Sequence, residues 1–175
     1  MADQRRDESP AGDAGRPPEG PPGRGGAYDY SGPFTVDYRP RRNGEPDPGE
    51  VVWAWVAFED DPRIGKDRPI VLVGRIRDGR FAALMLSSRD RGGQWGWLGL
   101  GTGSWDPDRR PSWVRLDRPL AVATSAVRRE GASLPMAQYE RIVTALVSTG
   151  ARISVHGRRS LLSKVMGVVR RRLGR

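Results

Sequence analysis

Gly65-Lys66-Asp67-Arg68-Pro69-Ile70-Val71-Leu72-Val73 is the stretch on which the reading of this chain turns. A charged segment closes on Lys66-Asp67-Arg68, and an apolar run begins straight after Pro69. Upstream, Val51-Val52-Trp53-Ala54-Trp55-Val56 is a second apolar run rich in the β-branched and aromatic residues that favour strands. Glu59 to Asp67, with Pro62 and Gly65, reads as the loop between them. Strand, polar loop and strand put the Arg68 guanidinium at the mouth of a hairpin. There a small β-barrel offers a forked, permanently charged donor to a phosphate.

The same reading extends downstream. Ile70 to Arg77 is a strand, Asp78-Gly79 a tight turn, and Arg80 to Ser87 a third strand; Asp-Gly between apolar runs is a strong hairpin signal. Arg89 to Asp108 is glycine-rich and loop-like, holds Trp95, Trp97 and Trp105, and has room for one short strand at Trp97 to Leu100. Ser112 to Leu116 and Leu120 to Thr124 are two further strands, parted by Asp117-Arg118-Pro119. After Pro135 the period changes: Met136, Tyr139, Ile142, Val143, Leu146 and Val147 fall at helical spacing. Short strands followed by one amphipathic helix predict a mainly β protein with some α: a small, partly open barrel with a packing C-terminal helix.

Three segments follow. Residues 1–49 hold nine of the fifteen prolines and nine of the twenty-three glycines. Such composition cannot bury enough surface to offset chain entropy, so residues 1–47 read as a disordered arm. Tyr28, Tyr30, Phe34 and Tyr38 are exceptions within it: their spacing lets part of the arm adhere to the domain or to a partner, but a sticky linker is the favoured reading. Residues 48–150 form the barrel domain. Residues 151–175 form a basic tail, whose stretch Ser160 to Leu173 has one broad apolar side and ends in Arg170 to Arg172. That piece can pack on the domain, touch nucleic acid or lie on an anionic membrane surface.

Charge narrows the function. The chain has 175 residues and a net charge of +9. Residues 157–175 carry seven basic groups and no acid, and of thirty cationic residues only Lys66 and Lys164 are lysines. Arg grips phosphates in bidentate fashion and stacks on bases, which points to a polyanionic partner; a GC-rich genome explains the Arg excess equally well, but not the C-terminal clustering. There is no Cys, so disulfides, thiolate metal sites and cysteine nucleophiles are excluded. His156 is the single histidine, which excludes a two-imidazole acid/base pair. No apolar run approaches the ~20 residues of a membrane helix, and the polar start lacks a signal-peptide core, so the expectation is a cytoplasmic protein.

From Pro48 to about Val147 these residues resemble the MazF/PemK family of toxin ribonucleases. Pro48-Gly49-Glu50-Val51-Val52-Trp53 is similar to the family's opening strand, and Gly65 to Val73 to its hallmark Arg-Pro followed by an apolar strand. Leu84-Met85-Leu86-Ser87-Ser88 resembles the end of its third strand, and Ser112-Trp113-Val114-Arg115-Leu116-Asp117 a later one. The resemblance implies an SH3-like barrel and a toxin that cuts single-stranded RNA without metal or other cofactor. It implies products with a 2′,3′-cyclic phosphate and a 5′-hydroxyl, a homodimer, and a cognate antitoxin. It places Arg68 on the scissile phosphate and Ser87 beside the phosphate or 2′-OH. The alternatives are an ion pair of Arg68 with Asp67 or Asp60, and a strand-end Ser87 tied to backbone. The expected RNA-binding set is Lys66, Ser88, Arg89, Arg91, Trp95 and Trp105: indoles stack on unpaired bases while guanidiniums follow phosphates. Trp53 and Trp97 are expected in the core, and His156 as a surface or structural residue rather than a catalyst. A competing function is a barrel that binds nucleic acid or protein and no longer cuts.

Overall fold

A computed structural model describes residues 25–41 and 43–156. The readings of residues 1–24 as a disordered arm and of 157–175 as an amphipathic basic piece lie outside the described residues.

Three consecutive antiparallel strands build the frame. β3 (Glu50–Ala57) pairs with β4 (Gly65–Arg75), and β4 pairs with β5 (Phe81–Ser87). Alternation along β3 and β4 sends their side chains to two different cores. Val52, Ala54, Val56, Ile70 and Leu72 point into the barrel with Phe81, Ala83 and Met85. Val51, Val71 and Val73 point the other way, under the helix α1 (Met136–Thr149). Tyr139, Ile142, Val143 and Leu146 of α1 are buried against that second face. Each such large side chain contributes on the order of 1.5–3 kcal/mol of transfer free energy when fully buried. The period change after Pro135 is thus the point where the chain stops forming the sheet and starts covering it.

Closure depends on a segment that composition assigned to the arm. β1 (Ala27–Asp29) pairs antiparallel with β8 (Leu120–Val122) and meets β3 in a parallel bridge, Ala27 opposite Val56. β8 in turn pairs with β5, so the ring β3–β4–β5–β8–β1 is complete and the barrel is closed rather than partly open. Ala27 is fully buried in the barrel interior. A second short strand, β2 (Phe34–Val36), runs between β4 and β10 (Ile153–Val155). Phe34 and Val36 join the core under α1, and the Tyr38 hydroxyl donates to the Leu134 carbonyl at 2.8 Å. Residues 27–36 are therefore part of the domain and not a free arm. Gly74 lets β2 lie this close: a Cβ there would sit 2.1 Å from the Thr35 carbonyl oxygen.

The remaining strands were partly anticipated. β6 (Trp97–Gly101) and β7 (Ser112–Arg115) extend the far end of β5, and β9 (Val127–Ser133), which was not expected, pairs with β3. β5 thus changes partner along its length: Phe81 to Ala83 face β8, whereas Leu86 and Ser87 face β7. That change of partner opens the site.

Candidate active site

The β4–β5 ladder ends at the pair Ile70–Met85. The same register carried two residues further sets Arg68 opposite Ser87, where β5 has already turned away to pair with β7. The strands part there and leave a cleft. On its other side β4 stays bonded to β3, with Ala54 opposite Arg68 and Trp53 opposite Pro69. Pro69 therefore sits where β4 has lost its β5 neighbour, and its missing N–H costs no bond to that strand. The charged residues Lys66, Asp67 and Arg68, expected in a loop, belong to β4. A strand holds the guanidinium more rigidly than a loop would.

Arg68 has no carboxylate partner among the described residues. Asp67, the neighbour expected to compete for it, pairs instead with Arg128 at 3.0 Å. Asp60 makes no ion pair with it either. Partial burial, and then repulsion from Arg89, Arg118 and Arg91, hold the Arg68 guanidinium below its ordinary pKa. An anion in the cleft would relieve both effects. Ser87 is only 9% exposed, and its Oγ accepts the Arg89 backbone N–H at 3.2 Å, which leaves the hydroxyl proton free to donate.

Two openings meet at this wall. One, of about 350 Å³, is bordered by Lys66, Arg68, Ser87, Ser88, Arg89 and Arg91, so most of the expected residues come together. The other, of about 420 Å³, shares Arg68, Ser87 and Arg91 and continues toward Trp97, Arg115 and Arg118. Arg91 spans the join: its guanidinium carbon lies 4.9 Å from the Trp97 ring centre, and its buried Nε has no hydrogen-bond partner among the described residues.

The tryptophans divide differently from expectation. Trp105 borders the first cleft, but it is 6% exposed and its indole N–H donates to Ser112 Oγ at 3.1 Å. Its ring is core, so the expected stacking role is corrected. Trp53, expected in the core, is half-buried at the cleft wall. Trp97 is half-buried against the barrel interior, and Trp95 is 81% exposed beside a different opening. His156 is exposed, away from both clefts.

Arg118 was missed. It is 8% exposed, its Nε donates to Asp29 Oδ1 at 2.7 Å, and its Nη2 donates to the Ala57 carbonyl at 2.9 Å. A signal was available: Asp117-Arg118-Pro119 repeats the Asp67-Arg68-Pro69 triplet, again directly ahead of an apolar run. Arg115 is the opposite case. Asp117 first, and Glu59 after it, raise its pKa, and it pairs with them at 3.0 and 2.9 Å.

Fold and cleft together define a small closed β-barrel with one covering helix, presenting an unpaired arginine in a cationic cleft. Residues 47–149 match the family model described as PemK-like, MazF-like toxin of type II toxin-antitoxin system. The chain belongs to this family of toxins, whose members are in general endoribonucleases. Membership implies an antitoxin partner and an RNA substrate. No curated protein matches the chain with significant similarity. β1, β2 and β10 lie outside the matched segment. Among the described residues no helix is long and apolar enough to cross a membrane.

Proposed function

We propose that this chain is a metal-independent, sequence-specific endoribonuclease acting on single-stranded RNA, with Arg68 and Ser87 at the reacting phosphate. The observation that carries the reading is the Arg68 guanidinium, partly buried, without a counter-ion among the described residues and bordering the same open cleft as Ser87. In the proposed reaction the ribose 2′-oxygen forms a bond to the adjacent phosphorus, and the bond from phosphorus to the 5′-oxygen breaks. The 2′-hydroxyl proton is lost and the leaving 5′-oxygen gains one, giving a 2′,3′-cyclic phosphate and a 5′-hydroxyl. Charge builds on the non-bridging oxygens in the transition state, where two N–H donors from Arg68 are worth most. Ser87 donates its hydroxyl proton to the same phosphate or to the 2′-oxygen. Lys66, Ser88, Arg89 and Arg91 hold the flanking phosphates.

In this reading the protein works in the cytoplasm as a homodimer, and its antitoxin covers the cationic cleft with acidic groups. One observation favours the alternative of a barrel that binds without cutting. Three carboxylates at the cleft walls are committed to arginines: Asp67 to Arg128, Asp106 to Arg110, and Glu59 to Arg115. Incubation with end-labelled single-stranded RNA in EDTA separates the two. Cleavage that is lost in Arg68→Ala and kept in His156→Ala supports the nuclease; a retarded but intact RNA supports the binding barrel.

A further inference from the structure

A third opening, of about 410 Å³, continues the line of the first two, sharing Glu59 and Arg118 with the second cleft. Its far side is built by segments outside the family match: Tyr30 precedes it and Arg152 follows it. Its edge carries Trp95, one of three large apolar residues in the described chain that are exposed. That exposure is built in. Gly96 adopts φ +78°, a Cβ there would lie 2.7 Å from Asp117 Oδ1, and the Gly96 carbonyl accepts the Leu116 N–H at 2.7 Å. The Gln94 N–H and Trp97 N–H close the turn on either side of Trp95, onto the Arg91 and Gln94 carbonyls. The backbone at Trp95 is thus held at the rim while the indole's apolar faces meet water.

The charge pattern here differs from that around Arg68. Glu59 and Asp117 are paired with Arg115, and Asp29 with Arg118. Arg152 donates to the Ser31 carbonyl at 2.9 Å. The wall therefore offers three paired carboxylates, the rings of Tyr30, Phe34 and Trp95, and the Arg152 guanidinium, which is tied to a backbone carbonyl. Such a lining suits a flat, neutral, hydrogen-bonding ring better than a phosphate. We propose that the opening bounded by Tyr30, Glu59, Trp95, Asp117, Arg118 and Arg152 is a base-binding subsite. It takes one unpaired nucleobase of the RNA, stacked on Trp95, next to the cleft that holds the reacting phosphate. The inference rests on the RNA reading above and extends it: the N-terminal strands and the segment after α1 add a contact that the family-matched region alone does not contain. A role of Trp95 in binding a protein partner is the competing outcome.

The test uses full-length protein and 2′-O-methyl oligonucleotides of about eight nucleotides, whose blocked 2′-oxygens prevent cleavage. One base at a time is replaced by an abasic site, and binding is measured for the wild type, Trp95→Ala, Trp95→Phe and Arg68→Ala. The expected result is a single position at which base removal weakens wild-type binding about tenfold, as one base–indole stack is worth. At that position the same removal costs Trp95→Ala nothing, and Trp95→Phe keeps most of the effect. Trp95 is exposed, so its replacement leaves the core intact, which unchanged thermal unfolding verifies. Binding that weakens in Arg68→Ala while no position couples to Trp95, as a protein-binding indole would give, overturns the subsite and leaves the RNA reading standing. Failure of the wild type to bind any oligonucleotide overturns both.

Discussion

Replacing Arg68 by Ala separates catalysis from stability. No ion pair among the described residues is broken, because Asp67 is held by Arg128 and no other carboxylate reaches the guanidinium. The truncation removes part of a half-buried stem but also relieves repulsion from Arg89, Arg118 and Arg91. The two effects oppose each other, so the stability change is about 1 kcal/mol or less, a shift of roughly 2–4 °C in a chain of this size. Loss of a donor aimed at transition-state charge costs about 10²–10³ in rate, or ~3–4 kcal/mol. Arg68→Lys keeps the charge, loses the fork and falls between. The assays are single-turnover cleavage of a labelled RNA in EDTA and thermal unfolding of the same samples with and without inorganic phosphate. Phosphate at ten times its Kd stabilises the wild type by about 1.4 kcal/mol and leaves the variant unmoved. A variant cutting within threefold of the wild type would refute the assignment. So would a variant that loses several kcal/mol of stability, since Arg68 would then be a structural residue.

Further expectations concern the residues around it. Ser87→Ala removes the hydroxyl and the acceptor of the Arg89 N–H, so cleavage falls about 10–100-fold with a stability loss of ~1 kcal/mol, read by the same two assays. Asp29→Ala leaves the buried Arg118 without its carboxylate; Asp29 is itself half-exposed, so denaturant titration should give a loss of about 1–3 kcal/mol rather than the larger cost of a fully buried pair. Tyr139→Phe removes a hydroxyl that serves the carbonyls of Asp37 and Val73, both at 2.6 Å, and should cost ~1–3 kcal/mol while keeping the fold by circular dichroism. The Arg80 side chain, and less so its backbone N–H, hold the Asp78 carboxyl below the ordinary carboxylate range. A group depressed in the folded state stabilises above its unfolded pKa and ceases to as pH falls through its folded one. The stability difference between wild type and Asp78→Asn should therefore be present at neutral pH and vanish in acid.

What could be read from the sequence was what neighbouring residues decide together. β3, β4 and β5 are long, carry near-continuous apolar runs and are joined by short connections, so their pairing follows from local pattern. The helix announces itself through Tyr139, Ile142, Val143 and Leu146. β1 and β2 are three residues each, set among Gly and Pro, and their partners lie far along the chain: Ala27 meets Val122, and Asp29 meets Leu120. No window of sequence contains that information. β9 was hidden because Arg128, Arg129 and Glu130 break any apolar alternation. That Arg68 and Ser87 border one cleft was legible from the Arg-Pro pair ahead of an apolar run and from the hydroxyl closing β5. Trp95 and Trp105 were not separable, since both occur in one glycine-rich stretch and only Ser112, brought in by β7, draws the Trp105 indole inward. Arg118 needed the barrel to close before it could reach the same cleft as Arg68.

The most direct measurement is the mass of the fragments released when the purified protein cuts a defined single-stranded RNA in EDTA. Upstream fragments should be about 18 mass units lighter than the 3′-monophosphate, as a cyclic phosphate is, with downstream fragments ending in a 5′-hydroxyl. Fragments with a 3′-hydroxyl and a 5′-phosphate, or an RNA left whole by protein that binds it, would contradict the account.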